Sequence, residues 1–318
     1  MTDPLSDVLS LLEVQGLGCS RLEATGPWSL RFEARPLLKF VAVLRGTCWI
    51  ALEGEAPHQV EANDTFLLVD APAYVVSSHP ALRTDDGERL FATPGVAVIR
   101  LGGAEVVLLG GRYLVKGEAL GPLLGALPRF LRVPAGTAEA EALRSILGLL
   151  DDELGREAVG ASLMTKRLAE ILLVQALRAW ASDARVTAEG ATLGWIGALV
   201  DRQIGAALQL IHRDVGHRWT VGALAAAVGM SRSAFALRFR ERVGTPPLEY
   251  LLRWRMERAR AALRRGDASV TAVAAELGYA SDNAFGVAFR REFGLTPRSD
   301  RLAARGRAGA DAAEPSSS

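Results

Sequence analysis

A chain of 318 residues exceeds what one hydrophobic core usually organises, so two domains are expected. Its composition, 49% hydrophobic and 23% charged, is that of a globular protein rather than a disordered or fibrous one. Two cysteines, Cys19 and Cys48, are too few for a disulfide scaffold. No apolar run approaches a membrane span, and Met1-Thr2-Asp3-Pro4-Leu5 lacks the basic start of a signal peptide, so the expected location is the cytoplasm, with no membrane partner.

In chain order, the first expected element is a short amphipathic helix, with Pro4 in its first turn and Leu5, Val8, Leu9 and Leu12 on one face. Strand signals follow at Trp28 to Phe32, Phe40 to Leu44, Cys48 to Leu52, Thr65 to Val69, Val96 to Leu101 and Val106 to Leu109. Gly46, Gly54, Asn63-Asp64, Pro72, Pro94-Gly95 and Gly102-Gly103 punctuate them as turns. Regularly spaced short strands predict a small barrel or jelly roll. From about Ala138 to Ala181 the period turns helical, with Leu143, Ile146, Leu147 and Leu150, then Leu168, Ile171, Leu172 and Val174. Ile171, Leu172, Leu173, Val174 and Leu177 form a wider apolar surface than one buried stripe requires, which predicts a homodimer contact. Ser182 to Gly194 is polar and small, and reads as a flexible connector.

The C-terminal third carries an internal repeat. Ala234-Phe235-Ala236-Leu237-Arg238-Phe239-Arg240-Glu241-Arg242-Val243-Gly244 recurs 50 residues later as Ala284-Phe285-Gly286-Val287-Ala288-Phe289-Arg290-Arg291-Glu292-Phe293-Gly294. Each copy follows a short Ala-rich helix signal, Val221 to Val228 closed by Gly229 and Val270 to Leu277 closed by Gly278. Ser231 and Ser281 then stand where an N-cap restarts the chain as a helix. Helix, tight glycine turn, helix, twice over, predicts tandem helix-turn-helix units. At about 100° per residue, Phe235, Phe239 and Val243 share one face, as do Phe285, Phe289 and Phe293. The opposite faces carry Ser233, Ala236, Leu237 and Arg240, and Asn283, Gly286, Val287 and Arg290. Those side chains are the candidates for base edges in a major groove: Asn suits adenine, Arg guanine, and Leu, Ala or Val a thymine methyl. Between the copies, Pro246-Pro247 opens a helix, Leu248 to Arg264, ended by Gly266, with Leu248, Leu251, Leu252, Met256, Ala259 and Leu263 spaced for burial between the units. Arg253, Arg255, Arg258, Arg260, Arg264 and Arg265 fill the rest, a pattern of a solvated face or of phosphate contacts.

Charge follows the same division. From Ile211 to Arg305 there are 17 basic and 9 acidic residues, a balance of +8, and every basic residue is Arg; residues 1 to 210 balance at −6. Guanidinium forks suit phosphate and guanine, although a genome rich in Arg codons gives the same bias.

The stretch from about Asp201 to Arg301 resembles the AraC/XylS family of transcription regulators. The matching residues are Trp219-Thr220-Val221, Leu224-Ala225, Met230-Ser231-Arg232-Ser233, Phe235 with Phe239, and Gly244-Thr245-Pro246; then Val273-Ala274, Gly278-Tyr279, Phe285 with Phe289, Phe293-Gly294 and Thr296-Pro297. The resemblance implies a double-stranded DNA operator as partner. It places Arg232, Ser233, Ala236 and Leu237 on a first reading surface, and Asp282, Asn283, Gly286 and Val287 on a second. Two departures stand out. Gly286 and Val287 replace polar or basic readers, and Pro297 leads into Arg298-Ser299-Asp300-Arg301 where a Tyr-Arg pair is usual, so the last helix is expected to be short or frayed. The first half is similar to the cupin-type N-terminal domain of one branch of the family, through Asp3-Pro4-Leu5-Ser6, Gly46 to Leu52, Leu67-Leu68 and Leu127-Pro128.

Catalytic cupins hold a metal with a close His pair, a carboxylate and a later His. Here His58 stands alone in Ala56-Pro57-His58-Gln59, Tyr74 occupies the region of the later His, and His79 is the other barrel histidine. No metal, no cofactor and no catalytic residue is expected, and so no enzyme. Cys19, near Arg21, and Cys48, alternating with Ile50 and Leu52, are redox candidates because some cupin-type relatives sense oxidants through thiols; a buried Cys is also an ordinary small hydrophobe.

The expected architecture is α+β in two domains: a cupin-like β-barrel with following helices over 1–182, a linker and helix start over 183–200, an all-α domain with two helix-turn-helix units over 201–301, and a disordered tail over 302–318. The expected function is a sequence-specific, DNA-binding transcription regulator, a homodimer whose barrel takes a small-molecule or redox signal and which meets RNA polymerase if it is an activator. The signal is expected to alter domain placement or dimer geometry rather than refold the reading helices. The rival reading is a cupin enzyme or small-molecule binder whose helical part serves interaction.

Overall fold

A computed structural model describes residues 3–10, 13–35, 37–92, 97–116, 127–133, 138–154, 158–182, 194–266 and 268–303. The chain divides into two compact units, one of residues Leu12–Leu193 and one of Gly194–Ser318 together with Met1–Leu11. The expected connector, beyond Ser182 and before Gly194, and the expected disordered tail from 304 onward lie outside the described residues. Among the described residues, no helix is long and apolar enough to cross a membrane.

After helix α1 (Pro4–Ser10), the strand-rich unit runs β1 (Glu13–Ala24), β2 (Ser29–Phe32), β3 (Leu38–Arg45), β4 (Thr47–Leu52), β5 (His58–Glu61), β6 (Thr65–Leu68), β7 (Tyr74–Ser77) and β8 (Asp85–Asp86). It continues with α2 (Gly87–Leu90), β9 (Val98–Leu101), β10 (Val106–Lys116), β11 (Phe130–Val133), α3 (Ala138–Leu154) and α4 (Ala161–Ser182). The strands form two sheets, ordered β11-β6-β3-β10-β1-β9 and β5-β4-β7-β2-β8. One apolar core lies between them: Leu22, Val41, Val43, Phe66, Leu68 and Leu108 come from the first sheet, and Leu30, Phe32, Ile50, Leu52, Val60 and Val76 from the second. The period of two then sends Leu38 and Phe40 of β3 to the opposite face, where Phe40 packs on Tyr113 at 5.9 Å and the Tyr113 hydroxyl donates to the Ala169 carbonyl of α4 at 2.7 Å. Both faces of the first sheet are therefore covered, which explains the continuous apolar run of β3.

The helical unit comprises α5 (Gly194–Val200), α6 (Arg202–Arg213), α7 (Val221–Ala227), α8 (Arg232–Val243), α9 (Pro247–Arg265), α10 (Val270–Glu276), α11 (Asp282–Phe293) and a last helix, α12, over 297–303. It also contains α1, which the sequence pattern alone assigned to the first domain. Asp3 caps α1, accepting from the Ser6 N–H at 3.0 Å and the Ser6 hydroxyl at 2.7 Å. From α1, the Asp7 carboxylate meets Nδ1 of the buried His212 at 3.1 Å. Burial pushes the His212 imidazolium down, against the pull of Asp7, so the ring is neutral at pH 7. The remaining contacts assign its proton. Trp195 Nε1–H donates to the Tyr250 oxygen at 2.7 Å, Tyr250 donates to His212 Nε2 at 2.7 Å, and the proton on Nδ1 faces Asp7. A buried polar chain in which each group is satisfied costs little and fixes one packing of α1, α5, α6 and α9.

The stripe of α9 differs from the expectation at Leu248, which is exposed. Pro247 takes the first buried place, and Tyr250 and Trp254 join Leu251, Met256, Ala259 and Leu263 in the core. The chain's last helix is anchored rather than frayed. Asp300 is buried between Arg260 Nε at 3.2 Å and Arg264 Nη2 at 2.9 Å, and Arg301 donates to the Gly266 and Ala268 carbonyls at the end of α9. The departure from a Tyr-Arg pair thus supplies an ion-pair lock.

Burial on its own would raise the Asp300 carboxyl, but hydrogen bonds and charge from Arg264 and Arg260 hold it below the ordinary value. A lowered carboxyl stabilises the fold above about pH 4 and loses that contribution as pH falls through its folded value. Asp300→Asn should melt below the parent at pH 7, and the difference should shrink as pH drops from about 5 to about 3; a constant difference across that range rules out the lock. A second check concerns Gly278, at φ +79°, where an added Cβ would lie 2.1 Å from the Gly216 carbonyl oxygen, whereas Gly229, at φ +68°, has open space. Gly229→Ala should cost about 1–2 kcal/mol in urea unfolding and Gly278→Ala about 2–5 kcal/mol; equal losses would contradict the close approach.

Candidate nucleic-acid interface

The first helix-turn-helix is built by local rules. Thr220 caps α7, accepting from the Ala223 N–H at 3.1 Å; Gly229 turns the chain at positive φ; Ser231 caps α8, accepting from the Ala234 N–H at 3.3 Å. Phe235, Phe239 and Val243 are buried, and Arg232, Ser233, Leu237 and Arg240 are exposed, with Ala236 half-buried. Arg238 fixes the helix from behind, donating to Asp201 Oδ2 at 2.8 Å and Gln203 Oε1 at 3.0 Å. Asp201 also caps α6. Burial would raise its carboxyl, but the N–H groups of Ile204 and Gln203 and the Arg238 guanidinium hold it down.

The second unit repeats this geometry. Ser269 caps α10 and Ser281 caps α11, accepting from the Ala284 N–H at 3.2 Å, and Gly278 makes the turn. From Ser281 to Arg290 the order of buried, half-buried and exposed positions is identical to that from Ser231 to Arg240. Asp282, Asn283, Val287 and Arg290 are therefore exposed, and Gly286, half-buried, has nothing within 4 Å of where a Cβ would stand. Asp282 is also engaged within the unit, accepting from the Thr271 hydroxyl at 2.6 Å. Leu237 and Val287 are 62% and 64% exposed, unusual for aliphatic side chains and matched between the units.

The arginines separate into two groups. Arg255 donates to the Val215 and His217 carbonyls, Arg258 pairs with Glu276, Arg253 with Glu249, and Arg260 and Arg264 with Asp300. Arg255, Arg258, Arg260 and Arg264 thus bond α9 to its neighbours, where the sequence pattern read a solvated face or phosphate contacts. Arg232, Arg240 and Arg290, in contrast, have no carboxylate partner among the described residues. Their charge faces outward from the same surfaces as Ser233, Leu237, Asn283 and Val287. The Arg238–Asp201 brace escaped the sequence reading, because the partners are 37 residues apart and the second copy of the repeat has Ala288 in place of Arg238.

In the strand-rich unit, Cys48 belongs to the intersheet core, while Cys19 is half-buried on β1 in the other sheet. Burial pushes both thiols up to about 12, with Asp64 adding to the effect at Cys48, so both hold their protons at neutral pH. His58 is exposed on β5, stacked on Phe130 at 5.5 Å; His79 is exposed, its Nδ1 accepting from the Ala81 N–H; Tyr74 is buried against Phe32 at 4.9 Å. Among the described residues no three His, Cys, Asp or Glu side chains are grouped so as to hold a metal ion.

The sequence matches the family described as Cupin over residues 3–182 and the family described as Helix-turn-helix domain over 224–302. An AraC-like transcription regulator of Streptomyces antibioticus is 38% identical over 93% of this chain and 97% of its own length. One from Streptomyces lividans is 38% identical over 93% and 96%. Among solved structures, the DNA-binding domain of AdpA in complex with a target DNA is similar at 34% identity, with a TM-score of 0.32 over 34% of this chain and 96% of that one. With a cupin unit preceding two helix-turn-helix units, this chain belongs to the AraC-like, DNA-binding transcription regulators.

Proposed function

We propose that the chain reads an operator with two recognition helices, α8 and α11, each placed in a major groove. Arg232, Ser233, Ala236, Leu237 and Arg240 form the first reading surface, and Asp282, Asn283, Gly286, Val287 and Arg290 the second. The observation that carries this reading is the identical burial order of Ser231–Arg240 and Ser281–Arg290, which presents two equivalent faces, each ending in an exposed arginine. Phosphate contacts position such a helix and base-edge contacts specify its sequence. On that division Arg240 and Arg290 serve phosphate or guanine, Asn283 serves adenine, and the exposed Leu237 and Val287 serve thymine methyls. Gly286 leaves the second helix open to close approach but supplies no side chain, so the second unit reads fewer bases directly.

The strand-rich unit, in this reading, takes a small-molecule signal and joins two copies of the chain. Leu172, Leu173 and Leu177, part of the apolar surplus, are buried within the unit, but Leu163, Met164 and Ile171 of α4 remain exposed, which supports a contact between copies. An effector can act only through a difference in its affinity for two arrangements of the regulator. If the bound regulator activates, RNA polymerase is its further partner.

Operator binding is tested first. After selecting bound sequences from random DNA, a folded Arg240→Glu, Arg290→Glu double variant should lose specific binding; wild-type affinity would overturn the docking proposal. Asn283→Ala should weaken binding by about 1–3 kcal/mol, and only at one operator position. Dimerisation is tested by sedimentation of the full chain at micromolar concentration. The parent should run as a dimer and a Leu163→Asp, Ile171→Asp variant as a monomer; a monomeric parent sinks the proposal.

A further inference from the structure

The strand-rich unit has a pocket of about 530 Å³, open to solvent on one side and within the size range that holds small organic ligands. Most of its wall is apolar, from Leu22, Leu30, Val41, Val76 and Leu108 of both sheets. Lys39 is one of the charged residues that interrupt it, with Glu33, Arg35, Glu88 and Arg112. On β3 Lys39 shares a face with Val41 and Val43, both in the intersheet core, so the period of two directs it inward. Its ammonium stands 4.2 Å from the ring centroid of Phe32 and 4.9 Å from that of Tyr74.

Arg112 lies directly opposite Lys39 in the β3–β10 register and lines the same cavity. Like charges opposite each other across a ladder repel. The acids of the lining are engaged elsewhere: Glu88 pairs with Arg35 at 2.9 Å and Glu33 with Arg31 at 3.0 Å. Neither Lys39 nor Arg112 has an ion-pair partner among the described residues. Burial pushes the Lys39 ammonium down to about 8; Glu88 opposes that shift, and Arg112 and Arg35 add to it. Gly110, on the same face of β10 as Arg112 and opposite Val41, leaves the wall bare beside the two cations: only the Phe40 carbonyl, at 3.7 Å, lies near where its Cβ would stand. A largely apolar pocket thus carries two adjacent cations, neither of them ion-paired with a carboxylate among the described residues.

We propose that this cavity binds an apolar carboxylate, its acid group between the Lys39 ammonium and the Arg112 guanidinium and its hydrocarbon body against Leu22, Leu30, Val76 and Leu108. A charged head relieves the cross-strand repulsion, and the tail replaces water on the apolar wall, so both ends of the ligand contribute. The identification of this ligand as the regulator's signal rests on the proposed sensing role of the unit.

Calorimetric titration of the full chain with decanoate and decan-1-ol, and with 2-naphthoate and 2-naphthalenemethanol, tests the site. At least one acid should bind at least about ten-fold more tightly than its alcohol, a difference of about 1.4 kcal/mol or more. Lys39→Met and Arg112→Gln should each reduce that preference to about two-fold or less. Lys39→Met should also melt no lower than the parent, since it removes a repelled and half-buried charge; should it fail to fold, the exposed Arg112→Gln carries the test alone. Equal affinity for acid and alcohol, or a preference that survives both substitutions, overturns the site. Operator affinity with and without the acid separates the two readings: lysine-dependent acid binding that leaves operator affinity unchanged establishes the site and overturns its role as sensor.

Discussion

The two exposed faces proposed to read DNA depend on two pairs of phenylalanines. Phe235 with Phe239, and Phe285 with Phe289, are fully buried, with ring centroids 5.6 and 5.7 Å apart and the same 57° between ring planes. A twelve-residue helix is marginal in water by its own propensity, so its position is set by what it buries. Each ring contributes about 2–3 kcal/mol when taken out of water. Once those rings point inward, the hundred-degree step leaves residues 233, 237 and 240, and 283, 287 and 290, nowhere to go but outward.

The two copies share that frame and differ in how it is braced. Arg238 binds α8 to Asp201 and Gln203, whereas the corresponding residue of α11 is Ala288, and the Thr271–Asp282 hydrogen bond joins α10 to α11 instead. The third position after Pro247 and Pro297 is also reused. Tyr250 and Asp300, 50 residues apart, are both buried polar groups, the first in a neutral chain with Trp195 and His212, the second in a charged one with Arg260 and Arg264. The neutral chain reaches α1 through the Asp7 carboxylate; the charged one ties α12 to α9 and responds to acid. One repeated scaffold therefore carries two locks of different chemistry.

Much of the helical unit was legible from sequence because its signals are local: serine caps, glycine turns and a Phe-x-x-x-Phe face all act within a dozen residues. The sheets were only partly so. β1 went unread because Gly16 and Gly18 interrupt it like turn residues, yet it lies between β10 and β9 and pairs with both. β5 is a polar edge strand with Val60 alone buried, so it offers no apolar pattern to detect. Lys39 looked like one basic residue beside an apolar run; its meaning depends on Phe32, Tyr74 and Arg112, which three other strands bring to it. The face of α1 was readable, but the surface that covers it was not, since amphipathic spacing shows that a face is buried and not by what.

That surface has a consequence for biosynthesis. The helical unit is discontinuous in the chain: Asp7 leaves the ribosome first, and its partner His212 follows 205 residues later. At about 5–20 residues per second, α1 waits roughly 10–40 s for the helix it caps, long enough for the intervening strands to be made. During that interval Val8 has no core to enter, and Trp195, Tyr250 and His212 do not yet exist as a set of partners. The helical unit cannot close before α9 is translated: a nascent chain cut short anywhere ahead of it lacks Tyr250, the residue through which Trp195 and His212 are joined.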